Sequence, residues 1–138
     1  MLKGKTAVVT GGARGIGAAI CKKLASMGAD IAIAALACNE QTEALEKEIT
    51  DTYGVKAKTY ACDVSDAEQC KAAVKQILSD FGNITILVNN AGITRDGLML
   101  GMKEADFDAV INTNLKGTFH MTQAYKSKIK LVFTAGVS

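Results

Sequence analysis

Residues 6–17 read TAVVTGGARGIG, a short β-rich run that breaks into glycines at positions 11, 12, 15 and 17. Thr6 to Thr10 is bounded by glycine, so the spacing predicts a strand ending at Thr10. From Ile16 onward, Ile16, Ile20, Leu24 and Met27 recur at helical spacing before Gly28 closes the pattern. The joint itself, Gly11-Gly12-Ala13-Arg14-Gly15-Ile16-Gly17, has G-x-x-x-G-x-G spacing. Glycines there permit a tight turn, close approach of backbone to a pyrophosphate, and close packing of helix on strand, while a helix N-terminus attracts phosphate. Glycines are also ordinary turn residues, so the cluster taken alone leaves both uses open.

The same alternation continues outward. Ile31 to Ala35 reads as a second strand, and Gln41 to Tyr53 as a polar helix with Leu45, Ile49 and Tyr53 four apart. Lys56 to Ala61 reads as a third strand. Ser65, with Glu68 three residues on, has the form of a capping box opening a helix that carries Cys70, Ala73, Val74, Ile77, Leu78 and Phe81 on one stripe and ends at Gly82. Ile84 to Val88 is almost wholly apolar, as a strand covered on both faces must be. A long helix from about Glu104 to Tyr125 and a last strand, Ile129 to Phe133, complete the pattern. Strands alternating with helices predict an α/β protein with a Rossmann-like, doubly wound parallel sheet that stops after its fifth strand.

The 138 residues fit one domain, 1–138, incomplete at its C-terminal end, with a net charge of +2 and 22% charged residues of mixed sign. That balance suggests neither nucleic acid nor an anionic membrane as partner. The longest apolar run, Ile31 to Cys38, is far below the roughly 20 residues of a membrane span. The opening MLKGKTAVVTGG makes a poor signal peptide, and the expected compartment is the cytoplasm. The cysteines at 21, 38, 62 and 70 form no C-x-x-C pair and no metal spacing, and read as small buried thiols kept reduced.

Ligands of such sheets lie beyond the carboxyl ends of the strands. After the third strand comes Asp63-Val64, where the acid could take a hydrogen bond from an adenine amino group or simply belong to the turn. After the fourth comes Asn89-Asn90-Ala91-Gly92, two amides and two small residues against which a flat ring or ribose could lie. In the long helix Asn114 falls among Phe107, Val110, Ile111, Thr118 and Met121, so its amide is a structural bracket or part of a site. His120 has no partner at useful spacing.

Taken together, Thr10 to Gly17, Asp63-Val64, Asn89 to Gly92 and Asn114 resemble the short-chain dehydrogenase/reductase family, and within it the branch that reduces 3-oxoacyl thioesters. The resemblance implies that Gly11, Gly12, Ala13, Arg14, Gly15, Ile16 and Gly17 bind a pyrophosphate, that Asp63 and Val64 hold adenine, and that Asn90, Ala91 and Gly92 border the nicotinamide ribose. It implies that Asn114 supports a proton relay, and that hydride passes from a nicotinamide cofactor to a ketone with tyrosine, lysine and serine assisting. The implied substrate is an acyl thioester, carried on acyl carrier protein or coenzyme A, and the implied assembly is a homo-oligomer. Residues 34–39, AALACN, hold no acid to bind a ribose 2′-OH, and Arg14 could meet a 2′-phosphate; NADP is expected, with NAD the alternative.

The family's Tyr-x-x-x-Lys pair is not found in these residues: Tyr53, Tyr60 and Tyr125 are followed four positions on by Ala57, Val64 and Ile129. At the end of the fifth strand Thr134 or Ser138 stands where the resemblance implies a serine. The expectation is therefore a chain that binds cofactor without efficient turnover.

Overall fold

The computed structural model of the chain describes residues 2–13, 15–90 and 131–134, the last four as backbone. β1 (Thr6–Thr10), α1 (Gly15–Ser26), β2 (Asp30–Ala35), α2 (Glu40–Tyr53), β3 (Ala57–Ala61), α3 (Ala67–Phe81), β4 (Ile86–Asn89) and β5 (Leu131–Thr134) follow one another. The expected long helix from Glu104 to Tyr125 lies outside the described residues.

All strand pairs are parallel, in the order β3-β2-β1-β4-β5. The chain winds from β1 outward to β3 and then returns to place β4 on the other flank of β1, which makes the β1/β4 seam the switch point of the sheet. The register sets Thr10 opposite both Ala34 and Asn89, so three strand exits lie side by side.

Successive strand residues point to opposite faces, and the two faces have separate cores. Val8, Ala32, Ala34, Tyr60 and Leu87 pack with Cys70, Ala73, Val74 and Ile77 of α3. Ala7, Val9, Ile31, Ile33, Ile86 and Val88 pack with Cys21 and Ala25 of α1 and Leu45 and Ile49 of α2. Every residue of β1 is buried, which is why TAVVT carries no charge. Among the described residues no helix is long and apolar enough to cross a membrane.

Two local expectations change, and a cap that sequence reading did not assign appears on α2. The α3 cap is Asp66, one residue beyond Ser65: its carboxylate accepts from the backbone N–H of Glu68 and Gln69 at 2.9 and 3.2 Å. One carboxylate oxygen at a helix N-terminus satisfies two free N–H groups and meets the positive dipole end, so it displaces the serine. Ser65 instead donates its hydroxyl to Asp63 Oδ1 at 2.6 Å. The α2 cap is Asn39, in a reciprocal box with Thr42. Cys38 is exposed, because it falls in the β2–α2 loop beyond the reach of either core; Cys21, Cys62 and Cys70 are buried and all are free thiols.

β3 is an edge strand, and side chains occupy its outward backbone groups. The N–H of Thr59 donates to Glu46 Oε1, and Cys38 Sγ lies 3.8 Å from the carbonyl of Thr59. Such plugs hinder pairing with another chain.

Candidate dinucleotide site

The glycine loop is built from β1 and closed by β4. Gly11 turns the chain at φ +66°, and its N–H donates to the carbonyl of Ala34 at 2.8 Å, tying the turn to the exit of β2. On the other flank the Thr10 hydroxyl donates to Val88 O at 3.4 Å and accepts from Asn90 N at 2.9 Å. The Asn90 side chain then reaches back, Nδ2 donating to Gly11 O at 3.1 Å. The switch point is thus laced by side chains into one frame.

Each glycine of the loop has a separate cause. A Cβ at Gly17 would stand 2.0 Å from Gly11 O and 2.6 Å from Asn90 Nδ2, so no side chain fits where α1 meets the turn. At Gly12 it would meet Cys21 Sγ at 3.0 Å, Val9 O at 3.1 Å and Ile33 Cγ2 at 3.2 Å, deep in the α1 core. Gly15 adopts φ +58° and has open space where a side chain would be. That opening lies at the N-terminus of α1, whose first turn contains no acid. The other two described helices differ: Asn39 and Asp66 cap α2 and α3, with Glu40, Glu43 and Glu68 in their first turns. The start of α1 therefore suits an anion, and its open backbone suits a phosphate.

Ala13 is half-buried and Ile16 is 58% exposed, both beside this opening. Asp63 lies at the exit of β3. Its Oδ1 accepts from both the N–H and the hydroxyl of Ser65, and its own N–H donates to Gln69 Oε1 at 2.9 Å. The turn role weighed for Asp63 is therefore present in the geometry. The Val64 side chain is buried against α3, and its carbonyl lies 3.6 Å from Cys70 Sγ. Arg14, Ala91, Gly92, Asn114, His120 and Ser138 lie outside the described residues; Thr134 is described by its backbone, paired in register with Asn89.

One contributor, Thr10, was given no site role from sequence, and another, Asn90, expected beside the ribose, has a bracing role besides. Thr10 ties β1 to β4, and its position directly before the first glycine at a strand end was the signal available. Asn90 braces the loop, a role its turn-like neighbourhood did not reveal.

Tyr60 is unlike a tuned proton donor. Its hydroxyl donates to Asp80 Oδ2 at 2.7 Å, and burial followed by that bond and the Asp80 charge raises it above the ordinary tyrosine range. Lys58 pairs with the same carboxylate oxygen at 2.8 Å. This trio on β3 and α3 is a structural network.

Residues 5–132 match the family model described as short chain dehydrogenase. The chain is 45% identical over 119 residues to the 3-oxoacyl-[acyl-carrier-protein] reductase FabG of Staphylococcus aureus, covering 86% of this chain and 48% of that protein. It is 46% identical over 122 residues to the protein of the same name from Thermotoga maritima, covering 88% of this chain and 49% of that one. The chain thus spans about half the length of these relatives. Among solved structures, a short chain dehydrogenase from Burkholderia cenocepacia in complex with NADP superposes with TM-score 0.90 at 38% identity, over 98% of this chain and 56% of that one. A metagenomic short-chain oxidoreductase in complex with NADP gives TM-score 0.83 at 40% identity, over 91% of this chain and 56% of that one. With a phosphate-ready glycine loop at the switch point of a parallel sheet, and a family match running through nearly all of it, the chain belongs to the short-chain dehydrogenase family of oxidoreductases.

Proposed function

We propose that the chain is the cofactor-binding part of an NADPH-dependent reductase that converts a 3-oxoacyl thioester into the 3-hydroxyacyl form. The observation that carries this reading is the closure of Gly17 on Gly11 and Asn90, which leaves the N-terminus of α1 open toward an anion. Gly11, Gly12, Ala13, Gly15, Ile16 and Gly17 hold the diphosphate. Asp63 and the Val64 backbone receive adenine, and Asn90, Ala91 and Gly92 border the nicotinamide ribose.

NADP is favoured over NAD because residues 34–39 carry no acid to repel a 2′-phosphate and Arg14 supplies a positive charge nearby in sequence. The NADP in the two superposed structures supports the same preference. The thioester substrate is suggested by the names of the relatives from Staphylococcus aureus and Thermotoga maritima. When bound, the reduced nicotinamide supplies a hydride. Asn114 supports the proton relay, and Thr134 or Ser138 polarises the carbonyl. The working form is a cytoplasmic homo-oligomer, with acyl carrier protein or coenzyme A as carrier.

A second reading is favoured by the tyrosines. None of the three in these residues has a lysine four positions on, and Tyr60 is committed to Asp80. These 138 residues would then bind the dinucleotide without turning it over. Calorimetry with NADPH and NADH, followed by NADPH oxidation in the presence of acetoacetyl-CoA, separates the readings. Binding with oxidation supports the reductase, binding without oxidation the second reading, and no binding removes both.

A further inference from the structure

Cys62 and Cys70 face each other inside the α3 core, with their sulfurs 4.0 Å apart and both residues at most 3% exposed. Cys62 directly precedes Asp63 at the exit of β3, and Cys70 lies in the first turns of α3, with its sulfur 3.6 Å from the carbonyl of Val64. The two thiols therefore bracket the turn assigned above to adenine. We propose that this pair is a peroxide-oxidisable site, whose disulfide staples the β3 exit to α3 and weakens dinucleotide binding by moving the Asp63-Val64 turn.

A disulfide requires the sulfurs to close by about 2 Å, to a bond of about 2.05 Å. The Val64 carbonyl sits against the sulfur that must move, so the displacement is delivered to that turn. A cleft of about 380 Å³ between β3 and α3 opens beside the pair, lined by Ala61, Gln69 and Ala73, the chain neighbours of the two cysteines and a residue one turn on, and by neither thiol. Each thiol also acts on the other's ionisation, the contact between the sulfurs lowering Cys62 and raising Cys70.

The chemistry balances with hydrogen peroxide as oxidant. The Cys62 thiolate attacks one peroxide oxygen and breaks the O–O bond, giving a sulfenic acid and a hydroxide that takes up the proton Cys62 released. The Cys70 sulfur then attacks the sulfenic sulfur, the S–O bond breaks, and the leaving hydroxide departs as water with the Cys70 proton. Two thiols and one peroxide become one disulfide and two waters.

The affinity part rests on the dinucleotide reading, and the test keeps the two apart. Reduced protein carrying Cys38→Ser, to remove the exposed thiol, is treated with hydrogen peroxide and followed by intact mass, peptide mapping and NADPH calorimetry. The expected result is a loss of about 2 Da from the two departing hydrogens, a mapped Cys62–Cys70 link reversed by dithiothreitol, and roughly tenfold weaker NADPH binding, the equivalent of one lost hydrogen bond to a charged group. Adding Cys70→Ala should abolish both the link and the affinity change, with Cys62→Ser as the second variant should the first not fold. Oxygen addition without a link, no mass change, or a link with unchanged affinity would overturn the proposal. Failure of the reduced protein to bind NADPH would overturn the dinucleotide reading and the affinity effect, while the mass measurement would still decide whether the thiols couple.

Discussion

The Asn90 side chain donates to the carbonyl of Gly11 across 3.1 Å, joining residues that lie 79 positions apart. A Cβ on Gly17 would collide with both of them. One hydrogen bond and one absent side chain therefore fix where the glycine loop ends and α1 begins.

Gly17 and Gly15 should respond differently to alanine. Gly17→Ala forces backbone apart and should cost roughly 3 kcal/mol and abolish NADPH binding. Gly15→Ala meets no atoms but must hold φ +58°, which should cost about 1 kcal/mol. Urea unfolding of the two variants measures the gap, and equal losses would contradict the packing account.

Removing the brace should loosen the loop without emptying the core. Asn90→Ala is expected to lose about 1 kcal/mol of stability, the net value of one intramolecular hydrogen bond, and to weaken NADPH binding several-fold. An affinity equal to wild type in calorimetry would mean that the brace does not shape the site.

The cap assignment also has a direct check. Asp66→Ala should lower stability by about 1 kcal/mol, because it strips the hydrogen bonds to Glu68 N and Gln69 N. Ser65→Ala should matter less to α3, since its hydroxyl serves Asp63. The reverse ranking in thermal melts would restore the serine as the cap.

Acid should weaken the Tyr60–Asp80–Lys58 network. Hydrogen bonds from Lys58 and then Tyr60 hold the Asp80 carboxyl down at about 2, below the roughly 3.9 of an unfolded chain. A depressed carboxylate contributes stability that is complete above its unfolded value and disappears as pH falls through the folded one. Wild type should therefore lose more stability than Asp80→Asn between about pH 4 and pH 2, as denaturant midpoints at stepped pH would report. Parallel curves would remove Asp80 from the acid response.

The sheet was legible because its signals are local. β1 is apolar throughout since both faces are covered, and the stripe from Cys70 to Phe81 turns inward as its spacing requires. The glycine turn between β1 and α1 was legible from glycine spacing for the same reason. What sequence concealed depended on distant pairing or on backbone angles. Nothing near Asn90 indicates Gly11 as its partner; only the return of β4 to the flank of β1 brings them together. Asn39 becomes a cap through its extended conformation, φ −151°, and a list of residues after β2 does not convey that. Ser65 and Asp66 are adjacent and equally good caps by type, and the choice fell to the residue whose carboxylate reached two N–H groups. Cys62 and Cys70 looked like unrelated small apolar residues until β3 and α3 packed together.

The central claim, that the β1–α1 loop is built to hold a phosphorylated dinucleotide, is tested most directly by titrating NADPH into the purified protein in a calorimeter. Saturable binding at one site, tighter than for NADH and lost in Gly17→Ala, is the expected result. The absence of binding heat with either dinucleotide, in protein shown to be folded by circular dichroism, would contradict it.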